Sequence, residues 1–387
     1  MQRDVAAAAG AGTLASAVAC DDGRSAPALQ VTLAGITFPT PVLAAPGPLE
    51  FGRQVQAVYD LRAFGGIITK SVSLDPRPGY PEPTIVETAA GWLNAVGLKN
   101  PGLGAFIARD LPFLRTLGRP VIVSVVGHTV EEFAEAAAVL DAEEGVAALE
   151  VNVSCPNVAD GLWFGTDPQR THALVTAVRR ATRRPLFVKL SPNVTDIVAI
   201  ARAAIEAGAD GLSLINTLQG LAVDARTRRP RLAAGLGGLS GPAIKPVALR
   251  MVWEVAQRVR VPIIGMGGIQ TAEDAVEFLL CGAHAVAVAS GLLAHPRAAE
   301  AITLGLARFL VEQGVGHVGD LVGRLEFPGA SQGARPAASP VAPEGRCRDT
   351  ESEEAVPVGA GGHGRAPAPL PGPSGVAADA AAGTQGR

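Results

Sequence analysis

Aromatic residues make up only 4% of this chain of 387 residues, too few for the stacking platforms that hold single-stranded nucleic acid. Charge of one sign is also lacking. The 33 basic and 36 acidic residues leave a formal net charge of -3, so there is no global basic field to attract nucleic acid or an acidic membrane surface. Cysteine is sparse. Cys20, Cys155, Cys281 and Cys347 lie far apart with no Cys-x-x-Cys pair, which points away from a disulfide framework, a zinc site or an iron–sulfur cluster. A reducing, cytoplasmic setting and a small-molecule function are the expectations that remain. The Ala-rich stretch from Val5 to Ala19 lacks strongly apolar residues and is shorter than the roughly 20 residues of a bilayer span. Asp4 spoils the positive start of a signal peptide, so residues 1–28 read as a disordered extension.

What the chain does have is alternation. Between residues 29 and 314, short apolar runs alternate with longer Ala-rich amphipathic stretches, the pattern of βαβ units around a parallel sheet. Strands are expected at Val42 to Ala44, Gly66 to Lys70, Val121 to Val126, Ala148 to Asn152, Leu186 to Leu190, Gly211 to Asn216, Pro262 to Gly265 and Ala285 to Ala289. Eight such runs match the strand number of an α/β fold of the (β/α)8 TIM-barrel type. Helices are expected at Val130 to Asp141, Pro168 to Thr182, Val194 to Ala207, Ala243 to Val259, Ala272 to Leu280 and Ala298 to Glu312. Thr271-Ala-Glu-Asp274 reads as a capping box. Asp196 ahead of Ile197, Ile200 and Ala204, with Gly208 behind, bounds an amphipathic helix. Ser71 to about Leu103 reads as one long loop, a length that usually serves function in a compact barrel. Residues 315–387, rich in Pro, Gly and Ala from about Glu326 onward, read as a mostly disordered tail.

Barrel enzymes draw their sites from the C-terminal strand ends and the loops that follow. Here those ends offer Lys70, Ser124, Asn152, Lys189, Asn216 with Thr217, Gly265 to Gly268, and Ala289-Ser290-Gly291, with Asn94 available from the long loop. The set is rich in Asn and Lys and poor in His, Asp and Glu, so metal-assisted hydrolysis and carboxylate-pair chemistry lack their usual groups. An Asn amide offers one acceptor and two donors, which complements the alternating N–H and C=O edge of a pyrimidine dione. Lys70 suits a substrate carboxylate. Gly265-Met-Gly-Gly268 and Ala289-Ser-Gly291 fall where barrels often hold phosphate on backbone N–H groups, although a tight βα turn explains glycines equally well. Cys155 sits in the polar hexapeptide Asn152-Val-Ser-Cys-Pro-Asn157, where a titrating thiol can remove a moderately acidic C–H proton. Cys281, after Phe278-Leu-Leu280, reads as a small buried hydrophobe.

Together these residues resemble the class 1 dihydroorotate dehydrogenases, more closely the catalytic subunit of the NAD-linked type, over about residues 30 to 313. Beside the hexapeptide, the resemblance rests on Asn94-Ala-Val-Gly-Leu98 with Asn100-Pro-Gly102, Phe164-Gly-Thr-Asp-Pro168 and Val188-Lys-Leu-Ser-Pro-Asn-Val-Thr-Asp196. It continues through Ile215-Asn-Thr217, Gly237 to Pro246 and Ile263-Ile-Gly-Met-Gly-Gly268. It implies FMN at the barrel mouth, against Lys70, Ser71, Ser124, Asn152, Lys189, Ile215, Gly241, Gly267, Gly268, Ala289 and Ser290. It implies dihydroorotate against Lys70, Asn94, Ala95, Val96, Gly97, Leu98, Asn152, Asn157, Asn216 and Thr217, with Cys155 as catalytic base. Three positions depart from the family pattern: Pro46 and Ser124 stand where the family carries Ser and Asn, and Ala289 where it carries Gly.

The chain has no dinucleotide fingerprint at a strand–helix turn and no cysteines spaced for a cluster. By the resemblance, electrons leave through a separate subunit carrying FAD and an iron–sulfur cluster, in a complex of two catalytic and two electron-transfer subunits around a homodimer core. Three alternatives stay open: a related flavin barrel acting on uracil or thymine, a flavin-free phosphate-binding barrel isomerase, and a catalytically inactive paralogue.

Overall fold

A computed structural model of the chain describes residues 27–153 and 161–327. Cys155 and Asn157 therefore lie outside the described residues, as do most of the N-terminal extension and residues 328–387.

Eight parallel strands close into a barrel in chain order: β3 (Val42–Ala44), β4 (Gly66–Ile68), β7 (Val121–Val125), β8 (Ala148–Asn152), β9 (Leu186–Lys189), β10 (Gly211–Leu214), β15 (Ile263–Met266) and β16 (Ala285–Val288), with β16 pairing back onto β3. All eight expected strands are present. Every residue of these strands is buried, because barrel strands are covered on both faces, by helices outside and by packed side chains within. That is why they read as apolar runs rather than as alternating ones. A hairpin of β1 (Val31–Leu33) and β2 (Ile36–Phe38) precedes the barrel. Its turn residues Ala34 and Gly35 have φ of +47° and +80°, the geometry a two-residue hairpin turn requires.

The helices begin where their caps place them. Thr129 Oγ1 accepts from Glu132 N at 3.3 Å ahead of Val130–Asp141. Asp167 accepts from Arg170 N at 2.9 Å ahead of Pro168–Ala181. Asp196 accepts from Val198 N and Ala199 N ahead of Ile197–Glu206, and the expected capping box of Thr271 and Asp274 opens Ala272–Leu280. Each such cap is worth about 1 kcal/mol. The larger contribution comes from apolar faces seated on the barrel. Phe133, Leu174, Ile200, Val252, Phe278 and Ile302 are almost wholly buried in one continuous core, each worth ~1.5–3 kcal/mol.

Two regions differ from the sequence reading. The stretch expected to be one long loop after β4 contains β5 (Ile85–Thr88) and β6 (Gly91–Asn94). These join β11 (Leu218–Leu221) and β14 (Leu236–Ser240) in a four-stranded antiparallel sheet of order β11-β14-β6-β5. The chain between β11 and β14 folds back as a small hairpin of β12 (Val223–Asp224) and β13 (Arg229–Pro230). At the other end, packing continues beyond residue 314: Val318 and Leu321 belong to the main core, and Ala28 bridges to His317. No helix among the described residues is long and apolar enough to cross a membrane.

Candidate active site

The polar strand ends converge at one mouth. On β8 and β9, Asn152 and Lys189 are paired neighbours, so their side chains point the same way. Lys189 is 6% exposed, yet its ammonium makes no hydrogen bond or ion pair with any described residue. The side chain is largely buried but its Nζ keeps some exposure, so the charged tip is open to the mouth, where a negative group can meet it. Asn152 Nδ2 donates to Ser71 Oγ at 2.9 Å, and its Oδ1 accepts from Asn216 Nδ2 at 3.4 Å. Below them, Ser71 Oγ lies 3.0 Å from Ser124 Oγ, and Ser124 donates to Glu150 Oε1 at 3.1 Å. Ser213 donates to Glu150 Oε2 at 2.7 Å. Glu150 is 0% exposed and rests on these two hydroxyls.

Lys70 was expected to be open to a ligand carboxylate. In the structure it is already engaged: its Nζ lies 2.8 Å from Glu50 Oε1 and 2.7 Å from Oε2. The loop after β3 brings Glu50 there through a second bond, from Lys70 N to Glu50 O at 3.1 Å.

The small sheet delivers the remaining polar groups. Asn94, at the end of β6, donates through Nδ2 to Gly238 O on β14 at 3.1 Å. A Cβ built on Gly238 would stand 2.1 Å from Thr217 Oγ1, so only glycine lets Thr217 approach here. Asn94 and Thr217 thus flank one backbone position. Asn216 Oδ1 accepts from Thr217 N at 2.8 Å. Beyond Asn94 the chain turns through Gly97 and Leu98, at φ +69° and +56°. The N–H groups of Val96, Gly97 and Leu98 meet no backbone acceptor among the described residues, leaving three adjacent donors on one turn. Asn100 holds that turn: its Nδ2 donates to Leu98 O at 2.9 Å and Ser73 Oγ at 2.8 Å, and its Oδ1 accepts from Gly102 N at 2.9 Å.

On the far side of the mouth, Gly267 and Gly268 after β15 have φ of +129° and +84°. A Cβ on Gly268 would lie 2.8 Å from Gly241 O, so the β15 end and the segment after β14 approach as closely as backbone allows. The N–H groups of Gly267, Gly268, Ala289 and Ser290 meet no backbone acceptor among the described residues, which suits an anionic group. Ile215 is buried beside this cradle, its Cγ1 3.3 Å from a Cβ built on Gly267. Lys245, next to Gly268, is paired with Asp274 at 2.5 Å and Glu277 at 2.7 Å. Burial pulls the Lys245 pKa down, but these two carboxylates outweigh it and hold it above its ordinary value. In Asp274, burial pushes up, and bonds from Lys245 and the N–H groups of Gln270 and Thr271 bring it below the usual carboxylate value.

Most of the residues singled out from sequence therefore meet at one mouth. Three sit differently from the expectation. Ser124 is wholly buried and reaches the mouth only through Ser71, so it supports the site from beneath. Ala95 is 1% exposed in a small core with Leu93 and Leu232 and shapes the turn without lining it. Lys70 carries a counter-ion. Glu50, Glu150, Asn100 and Asn193 were not singled out as site residues. A lone Glu inside the apolar run Ala148 to Asn152 was the one available signal. Asn193 acts as a staple, donating to Thr217 O at 3.1 Å and accepting from Gln219 N at 2.9 Å. Cys281 is buried as expected, and burial followed by the nearby Glu277 charge pushes its thiol pKa up. No cluster of metal-ligating side chains exists among the described residues.

Fold and geometry define the class first: a (β/α)8 barrel whose mouth is lined by amides on one side and by anion-accepting backbone on the other. The particular family follows from comparison with known proteins. Residues 28–310 match the family model described as dihydroorotate dehydrogenase, and the chain belongs to that family. A protein of Pelobacter propionicus named dihydroorotate dehydrogenase B (NAD(+)), catalytic subunit, is 54% identical over 301 residues, covering 78% of this chain and 99% of that protein. Identically named proteins of Geotalea uraniireducens and Geobacter sulfurreducens are 54% identical over 300 residues and 52% over 301. These alignments cover 77% and 78% of this chain, and 98% and 99% of the two proteins.

The family implies a flavin. The residues present fit one: the largely buried Lys189, whose ammonium has no partner among the described residues, amides at Asn152 and Asn216, and a glycine cradle whose N–H donors meet no backbone acceptor among the described residues at the ends of β15 and β16.

Proposed function

We propose that the chain oxidises (S)-dihydroorotate to orotate, in the route to UMP, as the catalytic subunit of a cytoplasmic NAD-linked complex. The observation that carries this reading is Lys189, a largely buried side chain whose ammonium has no partner among the described residues, set beside the Asn152–Asn216 amide pair. The bound FMN would supply the acceptor for the hydride that leaves C6. Everything else falls to the chain's own residues.

Cys155 takes the C5 proton, so that the C5=C6 double bond forms as C6 gives up its hydride. Asn94, Asn152, Asn157, Asn216 and Thr217 orient the ring through donors and acceptors matched to its edge. The free N–H groups of Val96, Gly97 and Leu98, with Lys70, receive the substrate carboxylate. Lys189 holds positive charge where negative charge develops on reduction, which is electrostatic preorganisation. Gly241, Gly267, Gly268, Ala289 and Ser290 hold the phosphate, and Ser71 and Ile215 complete the cofactor wall. The relatives' names specify NAD(+) and a catalytic subunit. In this reading a partner subunit with FAD and an iron–sulfur cluster takes the electrons onward, in a complex of two copies of each subunit.

The test is anaerobic mixing of the FMN-loaded protein with dihydroorotate while following flavin absorbance. Bleaching is expected, with strong slowing in Cys155→Ala. Bleaching by dihydrouracil and not by dihydroorotate would replace the substrate. A colourless protein that takes up no FMN would overturn the oxidoreductase reading.

A further inference from the structure

Glu50 is absent from the residues assigned above to substrate or cofactor, yet its placement is specific. It closes the turn after β3, where its N–H donates to Gly47 O at 3.0 Å. Its φ is +50°, a left-handed conformation that disfavours any residue with a Cβ and suits glycine. A Glu held there, with its carbonyl on Lys70 N and both carboxylate oxygens within 2.8 Å of Lys70 Nζ, grips Lys70 at its backbone and its tip. The Lys70 side chain is 14% exposed and that of Glu50 43%, so the carboxylate stands at the rim and the ammonium inside it. An ammonium has three donors. Two contacts with Glu50 leave one for a ligand.

We propose that Glu50 is a positioning residue for Lys70 and a built-in electrostatic competitor at the substrate-carboxylate subsite. It fixes the ammonium at the mouth in the ligand-free chain and shares it with the incoming carboxylate, whose negative charge it opposes. The inference rests on the proposed function, since it takes Lys70 as the partner of that carboxylate. Glu50 acts through Lys70 and need not touch the ligand.

Removing the charge while keeping the shape separates the two effects. Orotate binding to the FMN-loaded protein is followed by perturbation of the flavin spectrum, in wild type and Glu50→Gln. The dissociation constant should fall about three- to tenfold in the variant, the size expected for a screened like-charge contact near the surface. The difference should shrink as salt rises. In turnover the effect should fall on the half-saturating dihydroorotate concentration rather than on the limiting rate. Glu50→Gly, which the backbone conformation favours, removes the grip on Lys70 together with the charge, so it should tighten orotate less than Glu50→Gln does and melt no lower than wild type; it still tests the competition if the Gln variant does not fold. Equal affinity in wild type and both variants, or weaker binding in them, overturns the inference while leaving the proposed function intact. A wild-type protein whose flavin spectrum ignores orotate overturns the proposed function, and the role of Glu50 with it.

Discussion

Two lysines stand at the mouth of this barrel, separated in the ring by β7 and β8, and the fold treats them in opposite ways. Lys189 ends β9 nearly buried, with no partner among the described residues. Lys70 follows β4 and is held by Glu50 at 2.7 and 2.8 Å. A largely buried lysine whose tip keeps some exposure and has no partner among the described residues suits a negative group that arrives and stays. A partly exposed, paired one suits a ligand that arrives and leaves. In the proposed reading Lys189 serves the resident cofactor, and Lys70, expected from sequence to meet both cofactor and substrate, acts chiefly on the exchanging substrate.

The sharpest way to break this division is Lys189→Ala. Flavin reduction by dihydroorotate should slow by roughly 100- to 1,000-fold, as for loss of a preorganised electrostatic group, and FMN retention on gel filtration should fall. A rate within twofold of wild type would place Lys189 among structural residues. Lys70→Ala should act on the substrate side, raising the half-saturating dihydroorotate concentration roughly 10- to 100-fold, the range of a lost charge-assisted hydrogen bond. FMN should stay bound. If FMN is lost instead, the two lysines serve the same ligand.

A smaller effect is expected beneath both. Ser124→Ala removes one of the two hydroxyl donors to the buried Glu150 and should cost about 1–2 kcal/mol of stability, seen as a lower melting temperature. Flavin reduction should change little, because Ser124 reaches the mouth only through Ser71. The smallest effect concerns a third lysine, Lys245, beside the glycine cradle. Its pKa is raised in the fold, so its stabilisation is complete below the unfolded value near 10.4 and is lost as pH rises through the folded one. The Asp274 pKa is lowered, so its contribution is complete above the unfolded value near 3.9 and is lost as pH falls through the folded one. Between about pH 5 and 9 the pair should add no slope to the melting temperature. Activity changes in that window then belong to the mouth. A melting temperature of Lys245→Met that converges with wild type inside the window would contradict this.

Much of this contrast was readable from residue order, and the unread part has identifiable causes. Strand ends in a parallel barrel switch abruptly from apolar to polar, so Lys70, Asn152, Lys189 and Asn216 declare themselves at the ends of buried runs. Two helices announced their starts through Thr271 and Asp196, whose side chains cap them. The four-stranded sheet over the mouth did not. Its strands are short, β14 is interrupted by Gly237 and Gly238, and its partners are far apart in sequence: Asn94 faces Gly238. Glu50 was invisible for another reason. Its significance lies in a left-handed backbone angle and an ion pair twenty residues away, neither of which has a local signature. Glu150 had a weak one, a single acid among apolar residues. The base assigned to the proton step, Cys155, came from its hexapeptide alone and lies outside the described residues.

The division between the two lysines is tested most directly by stopped-flow flavin reduction over a range of dihydroorotate concentrations, run side by side on wild type, Lys70→Ala and Lys189→Ala. Lys70→Ala should shift the half-saturating concentration and keep the limiting rate within about tenfold, whereas Lys189→Ala should lower the limiting rate by roughly 100-fold or more. If both variants move the same parameter by the same factor, or if dihydroorotate does not reduce the wild-type flavin at all, the account is contradicted.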